Sequence, residues 1–206
     1  MLIINQANRA CEHVALRSMF VARKRVFVDL LKWDLAVLAE RFEVDHFDDP
    51  HATYLIVADP TGEHLASARL LPTARPALLD SVFPYLVTGR IPRGPGIAEI
   101  TRFCLSRDIG AQERRTARNL LLVGLAEHAR EAGIRSYTGV AELAWFRQIQ
   151  TFGWDCRQLG EPCERDGRLL VALQIDIDET TTVKLAAAGI VSETVTVPVP
   201  APARAA

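Results

Sequence analysis

The feature that most restricts the fold is the order of apolar segments between residues 53 and 177. TYLIVAD (53–59) and HLASARLL (64–71) flank the turn PTGE and read as a hairpin of two strands. A stretch rich in proline and glycine follows, with SVFPYLV as a helical turn and RIPRGPG as loop. IAEITRFCL (97–105) reads as a third strand. The period then becomes helical from Ala111 to Ala132, with Gly133 as C-terminal cap. RSYTGVA is a strand, LAWFRQIQTF a helix ended by Gly153, and RLLVALQIDI (168–177) a last strand. Strands followed by alternating helix and strand predict an α/β protein of three layers, with a mixed central sheet covered on both faces.

With 206 residues, 49% of them hydrophobic and 24% charged, the chain can build one sizeable core. Composition changes beyond Asp178 to Thr, Ala, Val and Pro. The expected organisation is therefore a domain over residues 1–178 and a flexible tail over 179–206. A formal net charge of -1 gives no global reason to expect nucleic acid or an anionic membrane as partner. The first residues do not resemble a signal peptide, and no apolar run approaches the roughly 18 residues of a membrane helix, so a cytoplasmic protein is expected. Cys11, Cys104, Cys156 and Cys163 form no CxxC pair, and neither they nor the five histidines have metal-ligand spacing. Free thiols and no metal site are the expectation.

Within the first helix, predicted from about Glu12 to Leu31, the residues Leu16, Met19, Phe20, Val26, Phe27, Leu30 and Leu31 form one apolar stripe, and Arg23 falls near its centre. An unpaired guanidinium there would carry a large desolvation penalty, so carboxylates from another segment are expected to meet it. The candidates are Asp45 and Asp48 in EVDHFDDP (43–50) and Glu99 in the third strand. Two further arginines, Arg69 and Arg102, accompany them. Equal numbers of each sign suggest a compensated cluster, which is either a purely structural ion-pair network or a site. Glu99 and Arg102 differ by an odd number of positions, so a regular strand would point them to opposite faces; either Arg102 serves the other face or a bulge re-aims it, and the bulge is the expectation.

Taken in order, Arg23, Phe27 and Trp33, then Asp45 and Asp48, ARLLPT with Arg69, SVFP with Phe83, and E-x-x-R-F (Glu99, Arg102, Phe103) resemble the signature of the acyl-homoserine lactone synthases, bacterial autoinducer synthases. The resemblance runs from about residue 20 to 105, and the element order suits the family to about 177. It implies a fold similar to the GNAT N-acyltransferases. It also implies a reaction in which the amine of S-adenosylmethionine attacks an acyl thioester and its carboxylate then closes a lactone, expelling methylthioadenosine. S-adenosylmethionine is then a substrate and no cofactor is required. A general coenzyme A-dependent N-acyltransferase and a non-catalytic ligand-binding homologue are the alternatives.

By that resemblance Glu99 is the candidate base, acting through water, with Arg69, Arg102, Asp45 and Asp48 as further catalytic candidates. A free α-amine with a pKa near 8 is already about a tenth neutral at pH 7, so the base need supply only about 1.4 kcal/mol. Phe27 and Trp33 would border one cavity and attract the sulfonium through their ring faces, although both also suit a plain core. Arg23, Phe83, Phe103 and Thr138 complete the substrate candidates, a threonine near this position accompanying 3-oxo chains in the family. On the donor side, RDIGAQ resembles an incomplete coenzyme A loop. Arg107, Arg114 and Arg118 would meet an acyl carrier protein or acyl-coenzyme A, a solvated helix face being the alternative.

Overall fold

The structure is a computed structural model and describes residues 1–192. Its centre is an eight-stranded mixed sheet built from β1 (Leu2–Ile4), β4 (Thr53–Ala58), β5 (His64–Pro72), β6 (Ile97–Leu105), β7 (Ser136–Glu142), β8 (Asp155–Gln158), β9 (Cys163–Arg165) and β10 (Arg168–Asp176). The spatial order is β1-β4-β5-β6-β7-β10-β8, with β9 also paired to β10. All these pairs are antiparallel except β6 with β7. A separate two-stranded ribbon joins β2 (Val37–Leu38) and β3 (Phe42–Glu43). The helices are α1 (His13–Arg23), α2 (Leu78–Ser81), α3 (Ala111–Glu131), α4 (Leu143–Gln150) and α5 (Thr181–Ala187).

Alternation along the strands separates the two faces. Leu55 and Val57 of β4 join the core under α3, with Leu121, Leu125, Phe146 and Leu185. Tyr54 and Ile56 face the other way and pack with Leu16 and Met19 of α1. This is the period of two expected of strands buried on both sides, and it yields the three-layer α/β/α arrangement. The tail boundary requires correction. Residues 181–187 form α5, and Leu185 and Ile190 are buried in the main core, so the packed unit continues past Asp178. The rest of the expected tail, 193–206, lies outside the described residues.

The sheet opens between β6 and β7, and this opening positions the site. β6 and β7 pair only from Ile97–Ser136 to Ile100–Gly139. Beyond Ile100 the two strands diverge, although β6 runs on to Leu105 and β7 to Glu142. At the same level β6 carries an extra residue against β5, because Ser67 pairs with Cys104 while Arg69 pairs with Thr101. Arg102 has φ of +51° there, the left-handed conformation of a bulge residue. The expected bulge is present.

Candidate active site

The first helix does not run regularly to Leu31. After Arg23 it widens into a π-helical segment, Lys24–Leu30, where Leu31 N–H donates to Val26 C=O at 2.9 Å. Lys32 then adopts φ of +57°, and Trp33 N–H returns to Phe27 C=O at 2.9 Å. This turn brings Trp33 back onto Phe27, and the rings stack with centroids 4.9 Å apart. They were expected to border one cavity; instead they meet each other. The outer faces are covered as well, by the guanidiniums of Arg102 over Phe27 and Arg168 over Trp33, 5.7 and 5.5 Å from the ring centres.

Arg23 is wholly buried and meets Glu43 and Asp48. Its Nε donates to Glu43 Oε2 at 2.5 Å, and both terminal nitrogens grip Asp48 at 2.8 and 3.0 Å. Arg69 grips Asp45 with two bonds of 2.5 and 3.0 Å, and its Nε donates to Thr101 Oγ1 at 2.9 Å. Arg102 reaches Glu43 Oε1 and Asp45 Oδ2, both at 2.9 Å. The carboxylates are held by their own loop, in which Asp45 N–H donates to Asp48 Oδ2 and Phe47 N–H to Asp45 Oδ1, each at 2.8 Å. Burial alone would raise Asp48 and Asp45, but the hydrogen bonds and charges of Arg23 and Arg69 outweigh it and hold both below the usual carboxylate range.

Glu43 is the member that pattern reading passed over. It stands first in EVDHFDDP, yet only its place on β3, facing the sheet, makes it the shared partner of Arg23 and Arg102. Glu99 is not in the ring at all. The arginines expected to hold substrate carboxylates are saturated by the protein's own, and only Asp45 and Arg102 at the rim keep some exposure, 16% and 7% of their side chains.

Glu99 and Thr138 sit side by side across the parallel β6–β7 pair and are both buried. Glu99 Oε2 accepts the Leu79 N–H at 3.0 Å, whereas Glu99 Oε1 and Thr138 Oγ1 have no hydrogen-bond partner among the described residues. Both residues line a small pocket of about 10 Å³, room for about one water, with Leu79, Asp80, Ile91 and Arg93 at its wall. Burial pushes the Glu99 carboxyl up to about 7, with the Asp80 charge adding and the Leu79 N–H opposing. Phe83, Val140, Leu170 and Ala172 form an apolar cluster with Leu79 on the same sheet face, beyond Thr138.

The remaining expected residues lie elsewhere. Phe103 packs on the opposite face against Trp145, ring centroids 5.5 Å apart, away from the charged ring. On the donor side Arg107 is exposed, as is Arg115 on α3. Arg114 donates to the carbonyls of Ser106, Arg107 and Ile109, which fixes the loop before α3. Arg118 donates to Asn119 Oδ1 at 2.9 Å and lies over the Phe152 ring. Arg114 is thus engaged by backbone carbonyls of the loop between β6 and α3, and Arg118 by the Asn119 side chain, while Arg115 on the same helix stays exposed.

The autoinducer synthase family model matches residues 7–185. An acyl-homoserine-lactone synthase of Ralstonia nicotianae is 36% identical over 174 residues, which cover 81% of this chain and 84% of that relative. MesI, a CoA-dependent acyl-homoserine lactone synthase of known structure, superposes with a TM-score of 0.83 at 29% identity, covering 93% of this chain and 96% of its own. BjaI, a second CoA-dependent synthase solved with SAM and isopentyl-CoA, gives 0.82 at 27% identity, over 91% and 88% of the two chains. A putative N-acetyltransferase from Lactobacillus plantarum, at 19% identity and a TM-score of 0.56 over 86% and 98% of the two chains, shares the fold alone.

Proposed function

Because the chain belongs to the autoinducer synthase family, we propose that the sheet face around Glu99 and the β6–β7 divergence is where its two substrates meet. The chain is an acyltransferase, an acyl-homoserine lactone synthase. It makes an N-acyl-L-homoserine lactone, a quorum-sensing signal, from S-adenosyl-L-methionine and an acyl thioester, and releases methylthioadenosine. The fold is the GNAT-like three-layer one.

The observation that carries the proposed centre is a buried carboxylate with one oxygen free, next to a second unpartnered polar atom, at the point where two strands part. Buried polar atoms are nearly always paired, so an adjacent unpaired couple marks a place meant for a ligand or water. Glu99 takes the proton of the substrate amine through that water, and burial places it near the pH at which such a transfer is balanced. The freed amine attacks the thioester carbonyl, the carbon–sulfur bond breaks, and the thiol leaves with a proton. The carboxylate of the resulting N-acylated substrate then attacks the carbon next to its own sulfonium, closing the lactone and expelling neutral methylthioadenosine.

The rim of the ion-pair ring supplies Asp45 to orient the amine, while Arg23, Asp48, Arg69 and Glu43 hold that rim in place. With its ring faces covered, the Phe27–Trp33 stack borders the nucleoside side by its edge. Thr138 and the apolar cluster of Leu79, Phe83, Val140 and Leu170 take the acyl chain. The donor is read as acyl-coenzyme A, supported by the CoA dependence of MesI and BjaI and by the internal engagement of Arg114 and Arg118. S-adenosylmethionine serves as substrate, no resident cofactor is invoked, and the cytoplasm is the compartment that holds both substrates. No helix among the described residues is long and apolar enough to cross a membrane.

The test is incubation of the purified chain with S-adenosylmethionine and matched acyl-coenzyme A and acyl-carrier-protein donors, with mass detection of products. A lactone and methylthioadenosine formed in equal amounts, faster from coenzyme A, are expected. Acylated product without methylthioadenosine would make the chain a simple N-acyltransferase, and a faster carrier-protein donor would reverse the donor reading.

A further inference from the structure

The aromatic pair sits inside a column of four side chains. Arg102 lies over Phe27, Phe27 stacks on Trp33, and Trp33 carries Arg168. Phe27 comes from the N-terminal helix, Trp33 from the turn after it and Arg102 from β6, but Arg168 opens β10, on the far side of the β6–β7 divergence. Its guanidinium has three engagements. Nη1 pairs with Glu142 Oε1 at 2.9 Å, Nη2 donates to the Leu31 carbonyl, and its face covers the Trp33 ring. Glu142 ends β7 and pairs in register with Leu170 of β10. One side chain therefore ties the wall formed by β7 and β10 to the turn 31–33 that wraps Trp33 back.

That turn has few other restraints. Lys32 is in the left-handed region and exposed, Asp34 is exposed, and Trp33 Nε1 is buried without a partner among the described residues. From the N-terminal side Trp33 is held by the ring stack, one backbone hydrogen bond and a small apolar cluster around Ala22, Phe27 and Cys104. A planar guanidinium that both bonds a carbonyl and covers a ring fixes an aromatic plane, as an ammonium would not. We propose that Arg168, oriented by Glu142, is a positioning residue that presets Trp33 as the nucleoside wall across the strand divergence. This rests on the reading of Trp33 as part of the S-adenosylmethionine pocket.

The test is a two-by-two set: the wild type, Arg168→Ala, Trp33→Ala and the double variant. Binding of S-adenosylmethionine is measured by calorimetry, the Michaelis constants for both substrates in the lactone assay, and folding by thermal melting. Loss of the cation–π contact and the Leu31 bond in Arg168→Ala is expected to weaken S-adenosylmethionine about five- to tenfold, while the acyl-donor constant stays within about twofold. In the Trp33→Ala background the same substitution should add almost nothing, because Arg168 acts through Trp33. Arg168→Lys should recover charge but not affinity. Unchanged binding in Arg168→Ala, or an equal loss with and without Trp33, would overturn the proposal while leaving lactone synthesis intact. A wild-type chain that neither binds S-adenosylmethionine nor makes a lactone would overturn the functional reading and this inference together.

Discussion

Glu99 and Arg102 stand three residues apart on β6, turned to the same face by the bulge, yet their surroundings differ in kind. Around Arg102, three guanidiniums meet three carboxylates, with Tyr54 and Thr101 supplying further bonds, and no buried polar side-chain atom of these eight residues lacks a partner. Around Glu99, one carboxylate oxygen and the Thr138 hydroxyl have none. A satisfied network holds one geometry and gains nothing from a ligand. An unsatisfied pair is held by the fold at a cost that a bound polar group recovers. The charged ring is thus read as the frame, and the Glu99 pocket as the place where chemistry happens.

The sharpest way to break that contrast is to remove one charge from each region without changing shape. Glu43→Gln strips the carboxylate shared by Arg23 and Arg102 and leaves a buried excess of positive charge. Breaking such a network should cost about 3–5 kcal/mol of stability, measured by urea denaturation. A loss below about 1 kcal/mol would mean that the ring is not the frame. Glu99→Gln should do the reverse, with melting temperature at pH 7.5 unchanged or raised while turnover falls about a hundredfold, the scale of general-base catalysis. Its defect should shrink above about pH 8, where the amine loses its proton unaided. Near-normal turnover at pH 7 would remove Glu99 from the role of base.

Proton linkage separates the regions with opposite signs. The carboxyl of Glu99 is raised from an unfolded value of 4.5 to about 7, so its contribution to stability is fully present at pH values below the unfolded one and is lost as pH rises through about 7. Asp48 is held below the usual range despite its burial. Its contribution is present above about pH 4 and disappears as pH falls through the folded-state value. Burial holds the His64 imidazole down at about 4, so its contribution rises with pH towards 6.5 and opposes that of Glu99 in the wild type. The difference between Glu99→Gln and the wild type removes this shared part and should grow in the variant's favour from about pH 5 to 8, with the acid limb unchanged. A difference that does not grow with pH would assign the slope to another group.

Much of this was legible in the sequence, for reasons that also explain what was not. The hairpin, β6, α3, β7 and β10 carry long apolar periods, and such periods dictate where a segment is buried whatever surrounds it. Arg23 inside an apolar stripe required carboxylate partners, and the odd spacing of Glu99 and Arg102 favoured a bulge over an arginine on the far face; both the partners and the bulge are present. Glu43 was missed because a lone glutamate in a two-residue strand has no period to reveal its facing. The strands β8 and β9 are short and mostly exposed, so they too lack a burial pattern. The turn that stacks Trp33 on Phe27 depends on a widened helix end and on Lys32 in a left-handed conformation, neither of which residue type announces. The fate of Arg114 was set by backbone carbonyls, which a reading of side chains does not count.

The finest test uses two threonines that differ only in which region they occupy. Thr101 and Thr138 are both buried and both turn to the site face, one on β6 and one on β7. Thr101 Oγ1 accepts the Arg69 Nε–H at 2.9 Å, so Thr101→Val leaves a buried guanidinium nitrogen without its acceptor and should cost about 1–3 kcal/mol. Thr138 Oγ1 has no partner, so Thr138→Val keeps the volume, removes an unsatisfied hydroxyl, and should be neutral or stabilising by up to about 1 kcal/mol. Activity should respond in the opposite order. Thr138→Val alters the wall of the acyl pocket, so it should shift the preference among acyl donors of different chain and substitution at nearly constant affinity for S-adenosylmethionine. Thr101→Val should leave that preference alone, because its hydroxyl faces an arginine already committed to Asp45. Equal stability losses in the two variants would erase the distinction between frame and site. A donor preference unmoved by Thr138→Val would keep the distinction but shift the acyl chain away from Thr138, towards the apolar cluster of Phe83, Val140 and Leu170.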